Sequence, residues 1–110
     1  MEKKIKANIT NLIKALKATA KAHKVSVEDY RSEGQFLLAS ESIPVYADVK
    51  NIVRAFYKDE YADDVESNGW GYITVWLYGK EAFREEVDEM SLAFALPYGE
   101  MENIKWTREK

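Results

Sequence analysis

Four aromatic side chains near the middle of the sequence have the types and spacing to contact a partner or a flat ligand. They occupy even-numbered positions between Gly69 and Gly79, and they are Trp70, Tyr72, Trp76 and Tyr78. Aromatic rings on a strand can stack on nucleic-acid bases, fill a protein interface or form a second layer of core. The sequence does not separate these possibilities, although it favours a core layer or an interface between copies of the chain over stacking.

Three cations at four-residue spacing are the second group with binding chemistry. Lys50, Arg54 and Lys58 fall on one side of a predicted helix. Like charges at this spacing repel one another weakly, so we expect acidic neighbours in the fold or on a partner. If the aromatic rings instead stack a nucleotide, these three cations are the predicted phosphate contacts.

The sequence gives little support to catalysis. It contains no cysteine, and its single histidine, His23, has no evident Ser or Asp partner motif. The five glycines are scattered, so no phosphate-binding loop is present. The acidic runs at 59–66 and 81–89 lack the order of ligands of a calcium-binding loop, and we interpret them as solvated faces. We therefore expect no catalytic residue, no metal ligand and no cofactor.

Composition and charge favour one globular domain over residues 1–110. Hydrophobic residues make up 46% and charged residues 32% of the chain. No apolar run is long enough to span a bilayer, and the absence of cysteine suits a reducing compartment, so we expect a cytoplasmic protein without a membrane partner. The net charge of -3 is uneven, because residues 1–24 hold seven lysines and a single acid. We interpret these lysines as the flank of a core-packed helix, since arginine, favoured in contacts with nucleic acid, is absent there.

Hydrophobic periodicity predicts the elements of the first half. Aliphatic residues recur at helical spacing over residues 3–23, which predicts a helix. Strands at 25–31 and 36–39 are predicted to form a hairpin that turns at Glu33 and Gly34, although Ser26 and Asp29 also resemble the start of a helical turn. Pro44 favours the start of a second helix over residues 44–58.

The second half is predicted to be strand-rich. Strict alternation over residues 70–78, with Ile73, Val75 and Leu77 toward the core, predicts a central strand. A short acidic helix follows at 80–87. Residues 90–96 fit a helix or a strand, and we favour the strand; a last strand is predicted at 101–107. The fold class is therefore α+β, with an antiparallel sheet of four or five strands and two main helices packed against it.

These observations lead to two functional hypotheses. The first is a small non-catalytic binding protein, such as an inhibitor, adaptor or accessory factor of the kind that phages and mobile elements encode. It would occupy the surface of a basic or apolar protein partner, or of a second copy, through its aromatic strand face or its acidic segments. The alternative is a module that stacks a nucleotide or single-stranded nucleic acid on that face.

Overall fold

The computed structural model describes residues 4–97 and 99–108, and these form an α+β fold, which confirms the predicted class. One antiparallel sheet has four strands in the order β2-β3-β5-β4, and the other pairs β1 with β6. The two long helices, α1 and α2, pack against each other. The strands are β1 (Lys4–Lys6), β2 (Val27–Tyr30), β3 (Gln35–Leu38), β4 (Val65–Ser67), β5 (Ile73–Trp76) and β6 (Glu86–Asp88). The helices are α1 (Ile9–Ala22), α2 (Ile43–Phe56), α3 (Glu89–Ala95) and α4 (Glu100–Asn103), and short 3-10 helices cover Arg31–Glu33, Asp59–Tyr61 and Lys80–Ala82.

The first helix begins later than predicted. Asn8 has extended backbone, and its side chain accepts a hydrogen bond of 2.8 Å from the Asn11 N–H, so it caps α1. The preceding residues form β1, in which Ile5 lies opposite Val87 of β6. The prediction of helix over residues 4–8 was wrong because Ile5 satisfies helical spacing to Ile9 while pairing with a strand that lies far along the chain; residue 3 of the predicted helix lies outside the described residues.

The hairpin and the second helix agree with the predictions. β2 and β3 pair antiparallel, and the turn between them ends at Gly34, whose φ of 74° is the left-handed conformation that glycine adopts without strain. The alternative of a helical turn starting at Ser26 is wrong, since residues 27–30 are a strand. Pro44 lies in the first turn of α2.

The central strand is also confirmed, although it is shorter than predicted. β5 lies between β3 and β4, and its Ile73 and Val75 are completely buried together with Phe36 and Leu38 of β3. These four side chains belong to the sheet side of the hydrophobic core, together with Val65 of β4. The alternate side chains of β5 point to the opposite face of the same sheet.

The structure of the C-terminal third differs from the prediction. In place of a helix over residues 80–87 there is a short 3-10 helix and then β6, and in place of a strand over 90–96 there is α3. Asp88 caps α3 by accepting a 2.9 Å hydrogen bond from the Met90 N–H. The alternation that favoured a strand is misleading, since Leu92 and Leu96, four residues apart, are buried while Met90 and Phe94 are exposed.

No strand forms at 101–107 either, since α4 is followed by residues without regular structure. The buried side chain of Asn11 holds this segment instead. Its Nδ2 donates to the carbonyl oxygens of Lys6 and Thr107, each at 2.8 Å, and its Oδ1 accepts from the Thr107 N–H at 2.9 Å. The Thr107 carbonyl also accepts from the Lys6 N–H at 3.3 Å, so Asn11 and this backbone bond to β1 hold the segment together.

Candidate functional site

The face of the four-stranded sheet that points away from the core carries aromatic side chains. Strand register places Glu28, Leu37, Thr74 and Glu66 in one row across the sheet and Tyr30, Gln35 and Trp76 in the next. The hydrophobic members of these rows, Tyr30, Leu37 and Trp76, neither belong to the hydrophobic core nor pack against it, whereas Thr74 in the middle of the sheet is buried. We call this set the outer sheet face. Tyr30 is 41% exposed and Trp76 is half-buried, so these two aromatic side chains of the face are available to a partner.

Carboxylates hold the aromatic groups of the outer sheet face in place. Glu28 accepts hydrogen bonds from the hydroxyl groups of Tyr30 and of Tyr72, which precedes β5. Both bonds lower the pKa of Glu28, and the bond from Tyr30 has the larger effect. The same contacts raise the pKa of both tyrosines. Trp76 Nε1 donates to Glu66 Oε1 at 3.1 Å. The face therefore combines aromatic rings with negative charge.

Trp70 lies beside this face, on the loop that connects β4 to β5. We call residues 68–72 the Trp70 loop. The Trp70 side chain is 85% exposed. The backbone N–H of every residue in the loop nevertheless has an acceptor, and for Asn68 this is the carbonyl of Tyr72 at 3.0 Å. Hydrogen bonds of the backbone hold the loop, and packing of its tryptophan does not.

Two side chains supply the remaining acceptors of the Trp70 loop. Asn68 Oδ1 accepts from the N–H groups of Trp70 at 2.8 Å and Tyr72 at 3.3 Å. The Glu41 carboxylate accepts from the N–H groups of Gly69 at 2.7 Å and Gly71 at 3.1 Å, and from the Ser67 hydroxyl. These hydrogen bonds lower the pKa of Glu41. The bond from the Ser67 hydroxyl has the largest effect, and the bond from the Gly69 N–H comes next.

Both glycines of the loop are required by its shape. Gly69 and Gly71 have φ values of 78° and 94°, which side chains with a Cβ rarely adopt. These conformations turn two N–H groups toward Glu41 while Trp70, between them, points to solvent. The loop is therefore built in a way that presents its tryptophan.

Tyr78 belongs to a different site from the other three predicted aromatic residues. β5 ends at Trp76, and Tyr78 packs at a ring-centroid distance of 5.6 Å from Tyr57 and 5.1 Å from Tyr61. The Tyr57 hydroxyl donates to the carbonyl of Trp76 at 2.7 Å and accepts from the Tyr78 N–H at 3.2 Å. Burial is the first cause that raises the pKa values of Tyr57 and Tyr78, each to about 12. We call Tyr57, Tyr61 and Tyr78 the tyrosine cluster.

The three predicted cations are also separate from the outer sheet face. The Lys50 Nζ lies 5.7 Å from the ring centroid of Tyr46. Arg54 Nη2 lies 3.9 Å from Asp63 Oδ1, which is an acidic neighbour such as the spacing of the cations predicted. Lys58 is exposed and follows the end of α2. Within residues 4–97 and 99–108, no hydrogen bond, ion pair or ring contact joins these cations to the outer sheet face.

Several residues of the site were not identified from the sequence. Tyr30, Glu28 and Glu66 join Trp76 only through strand pairing. The hairpin pattern was the single sequence signal for Tyr30 and Glu28, and Glu66 had no such signal because it belongs to the acidic run at 59–66. Nothing in the sequence indicated that Glu41 would bind a loop 28 residues away.

No protein-family model, curated protein or solved structure matches this chain. Among the described residues, no helix has the length and apolar character needed to cross a membrane. Nor do three or more His, Cys, Asp or Glu side chains meet there in a group that could hold a metal ion.

Proposed function

We propose that this chain is a small non-catalytic binding protein, and that it acts by covering the surface of a protein partner with its Trp70 loop and outer sheet face. The observation that carries the proposal is the state of Trp70. Its side chain is 85% exposed, yet it sits on a loop in which every backbone N–H is satisfied.

This arrangement lowers the cost of binding. A flexible loop loses conformational entropy when a partner orders it, whereas the Trp70 loop is already held by Glu41 and Asn68. Burial of a tryptophan side chain removes about 150–250 Å² from water, and at about 25 cal/mol per Å² the exposed part of Trp70 can contribute roughly 3–5 kcal/mol as an upper value. Tryptophan is also among the residues most often found at the energetic centre of interfaces.

The charge of the site indicates the chemistry of the partner. Glu28 and Glu66 place carboxylates beside Tyr30, Tyr72 and Trp76. Carboxylates attract Lys and Arg, and aromatic rings add a favourable contact with the same cations. We therefore propose a partner surface that combines an apolar pocket for Trp70 with basic side chains.

The alternative is a module for nucleotides or single-stranded nucleic acid, and one observation favours it. Tyr30 and Trp76 lie on an uncovered sheet face, which is where base-stacking rings lie in several single-strand binders. The same two carboxylates repel phosphates, and the predicted phosphate contacts Lys50 and Arg54 pair elsewhere. We consider protein binding the better-supported function.

The proposal is tested by comparing Trp70→Ala with a matched control, Phe94→Ala, whose parent side chain is equally exposed but lies on α3. Partners are cross-linked to the folded proteins in an extract of the native host and identified by mass spectrometry, and the purified partner is then titrated in solution. We expect Trp70→Ala to weaken binding by at least about 2 kcal/mol, or roughly 30-fold, and Phe94→Ala to leave it unchanged.

Two outcomes would contradict this proposal. In one, Trp70→Ala binds the purified partner as tightly as the wild type. In the other, tryptophan fluorescence shows saturable binding of an oligonucleotide or nucleotide that is lost in Trp76→Ala, which would favour the stacking module.

A further inference from the structure

A groove with an exposed apolar margin lies between α2, β6 and α3. Its volume is about 570 Å³, and its apolar lining comes from Ala55 of α2, Val87 of β6 and Ala95 of α3. Phe94 also lines the groove while its side chain is 85% exposed, and Met90, one turn earlier on α3, is 68% exposed. A protruding aromatic side chain and an apolar recess thus lie next to each other.

The remaining lining of the groove carries both signs of charge. The cations are Lys4, Arg54 and Arg84, and the acids are Glu86 and Asp88. Some of these charges are already paired. Lys4 Nζ lies 4.0 Å from Asp88 Oδ2, and Arg84 Nη2 lies 2.8 Å from Asp59 Oδ1. Glu86 makes no ion pair with another described residue, and the contact of Arg54 with Asp63 is long and exposed. One free acid and one weakly paired cation therefore border the same recess.

We propose that this groove is the interface of a homodimer, in which Phe94 of each copy enters the groove of the other. A two-fold interface must be self-complementary, so that each contact occurs twice. Phe94 and the recess meet this condition because they are neighbours on the same copy. When Phe94 of the first copy enters the recess of the second, Phe94 of the second copy reaches the recess of the first. The charges meet it as well, since Arg54 of one copy can pair with Glu86 of the other. A uniformly basic or acidic partner would meet like charges in the same groove.

The first test is the molar mass in solution, measured by light scattering and sedimentation over a range of protein concentrations. We expect the wild type to reach twice the monomer mass of 12.7 kDa. Phe94→Asp should remain at the monomer mass, while circular dichroism shows it folded, because the Phe94 side chain contributes little to the core. The matched control is Trp70→Asp, which should still dimerise. A wild type that stays monomeric at every concentration, or a Phe94→Asp variant that still dimerises, overturns the proposal.

The second test uses charge reversal. Glu86→Arg and Arg54→Glu should each weaken self-association, since each homodimer then contains two pairs of like charge. An equimolar mixture of the two variants should form a heterodimer, because both pairs become attractive again. Mixing that gives no more dimer than the separate variants would overturn the proposed pairing. Neither test uses a foreign partner. The homodimer proposal can therefore be refuted while the function proposed for the Trp70 loop is supported, and the homodimer can be supported while that function is refuted.

Discussion

The Tyr57 hydroxyl offers the most direct test of how the end of β5 is held. It donates to the Trp76 carbonyl and accepts from the Tyr78 N–H, and its side chain is 1% exposed. Tyr57→Phe keeps the ring in the tyrosine cluster but leaves both backbone groups without this partner. Because an unsatisfied buried polar group costs about 1–3 kcal/mol, we expect a loss of that size in the free energy of unfolding at neutral pH.

The pH dependence of this effect follows from the pKa of Tyr57. Burial raises it from the ordinary 10.0 to about 12, so the folded protein favours the neutral phenol. The stabilisation is therefore complete below pH 10 and is lost as the pH rises from 10 to 12. A shift of this size corresponds to about 3 kcal/mol. The difference in stability between the wild type and Tyr57→Phe should accordingly shrink above pH 10.

Urea denaturation at a series of pH values measures both effects, and ultraviolet absorbance follows ionisation of the phenols. Tyr61→Phe is the matched control, since its ring packs in the same cluster but its hydroxyl makes no hydrogen bond with another described residue. We expect it to stay within about 0.5 kcal/mol of the wild type. Equal stability of Tyr57→Phe and Tyr61→Phe, or a difference from the wild type that does not change with pH, would refute the role assigned to this hydroxyl.

Three further predictions concern the core, the C-terminal segment and the Trp70 loop. Ile73→Ala should cost roughly 2–5 kcal/mol and Val75→Ala roughly 1–3 kcal/mol in chemical denaturation, and two neutral results would contradict the central position of β5. Asn11→Ala removes three hydrogen bonds of a buried side chain and should cost about 2–4 kcal/mol, with faster proteolysis near the C-terminus as an independent readout. Glu41→Gln should accelerate amide exchange at Gly69 in the Trp70 loop. In the wild type, amide exchange at Gly69 should accelerate only as the pH falls below 4.5, the ordinary pKa of a glutamate side chain, because the pKa of Glu41 is lowered. An exchange rate that changes neither in Glu41→Gln nor at low pH would contradict the role of Glu41 in holding the loop.

Elements with a strong local pattern could be predicted from the sequence. The core residues of α1 and α2 repeat at helical spacing, and Ile73 and Val75 alternate within β5. Short elements depend on distant partners instead. β1 is a strand because β6 pairs with it, and α3 is a helix because Asp88 caps it and the core receives Leu92 and Leu96. A periodicity measured over seven residues cannot contain that information.

The same distinction applies to the candidate site. Tyr72 and Trp76 could be predicted to lie on the same face because both belong to one alternating segment. Tyr78 fits the same alternation, but the strand ends at Trp76 and Tyr78 joins the tyrosine cluster. The carboxylates that give the outer sheet face its charge come from β2 and β4, so they required knowledge of the strand register.

The two proposed surfaces have a joint consequence, because no residue belongs to both. Residues of α2, α3 and β6 line the groove, together with Lys4 and Arg84, whereas the outer sheet face belongs to β2, β3, β4 and β5. A dimer formed through the groove therefore leaves both outer sheet faces and both Trp70 loops free, and each dimer presents two binding surfaces. On a support that carries the partner at high density, two linked contacts should hold more strongly than one, by about a hundredfold or more. Phe94→Asp should lose that gain on the support and keep the wild-type affinity for soluble partner, whereas Trp70→Ala should weaken both. If Phe94→Asp weakened binding equally on the support and to soluble partner, α3 would contact the partner itself.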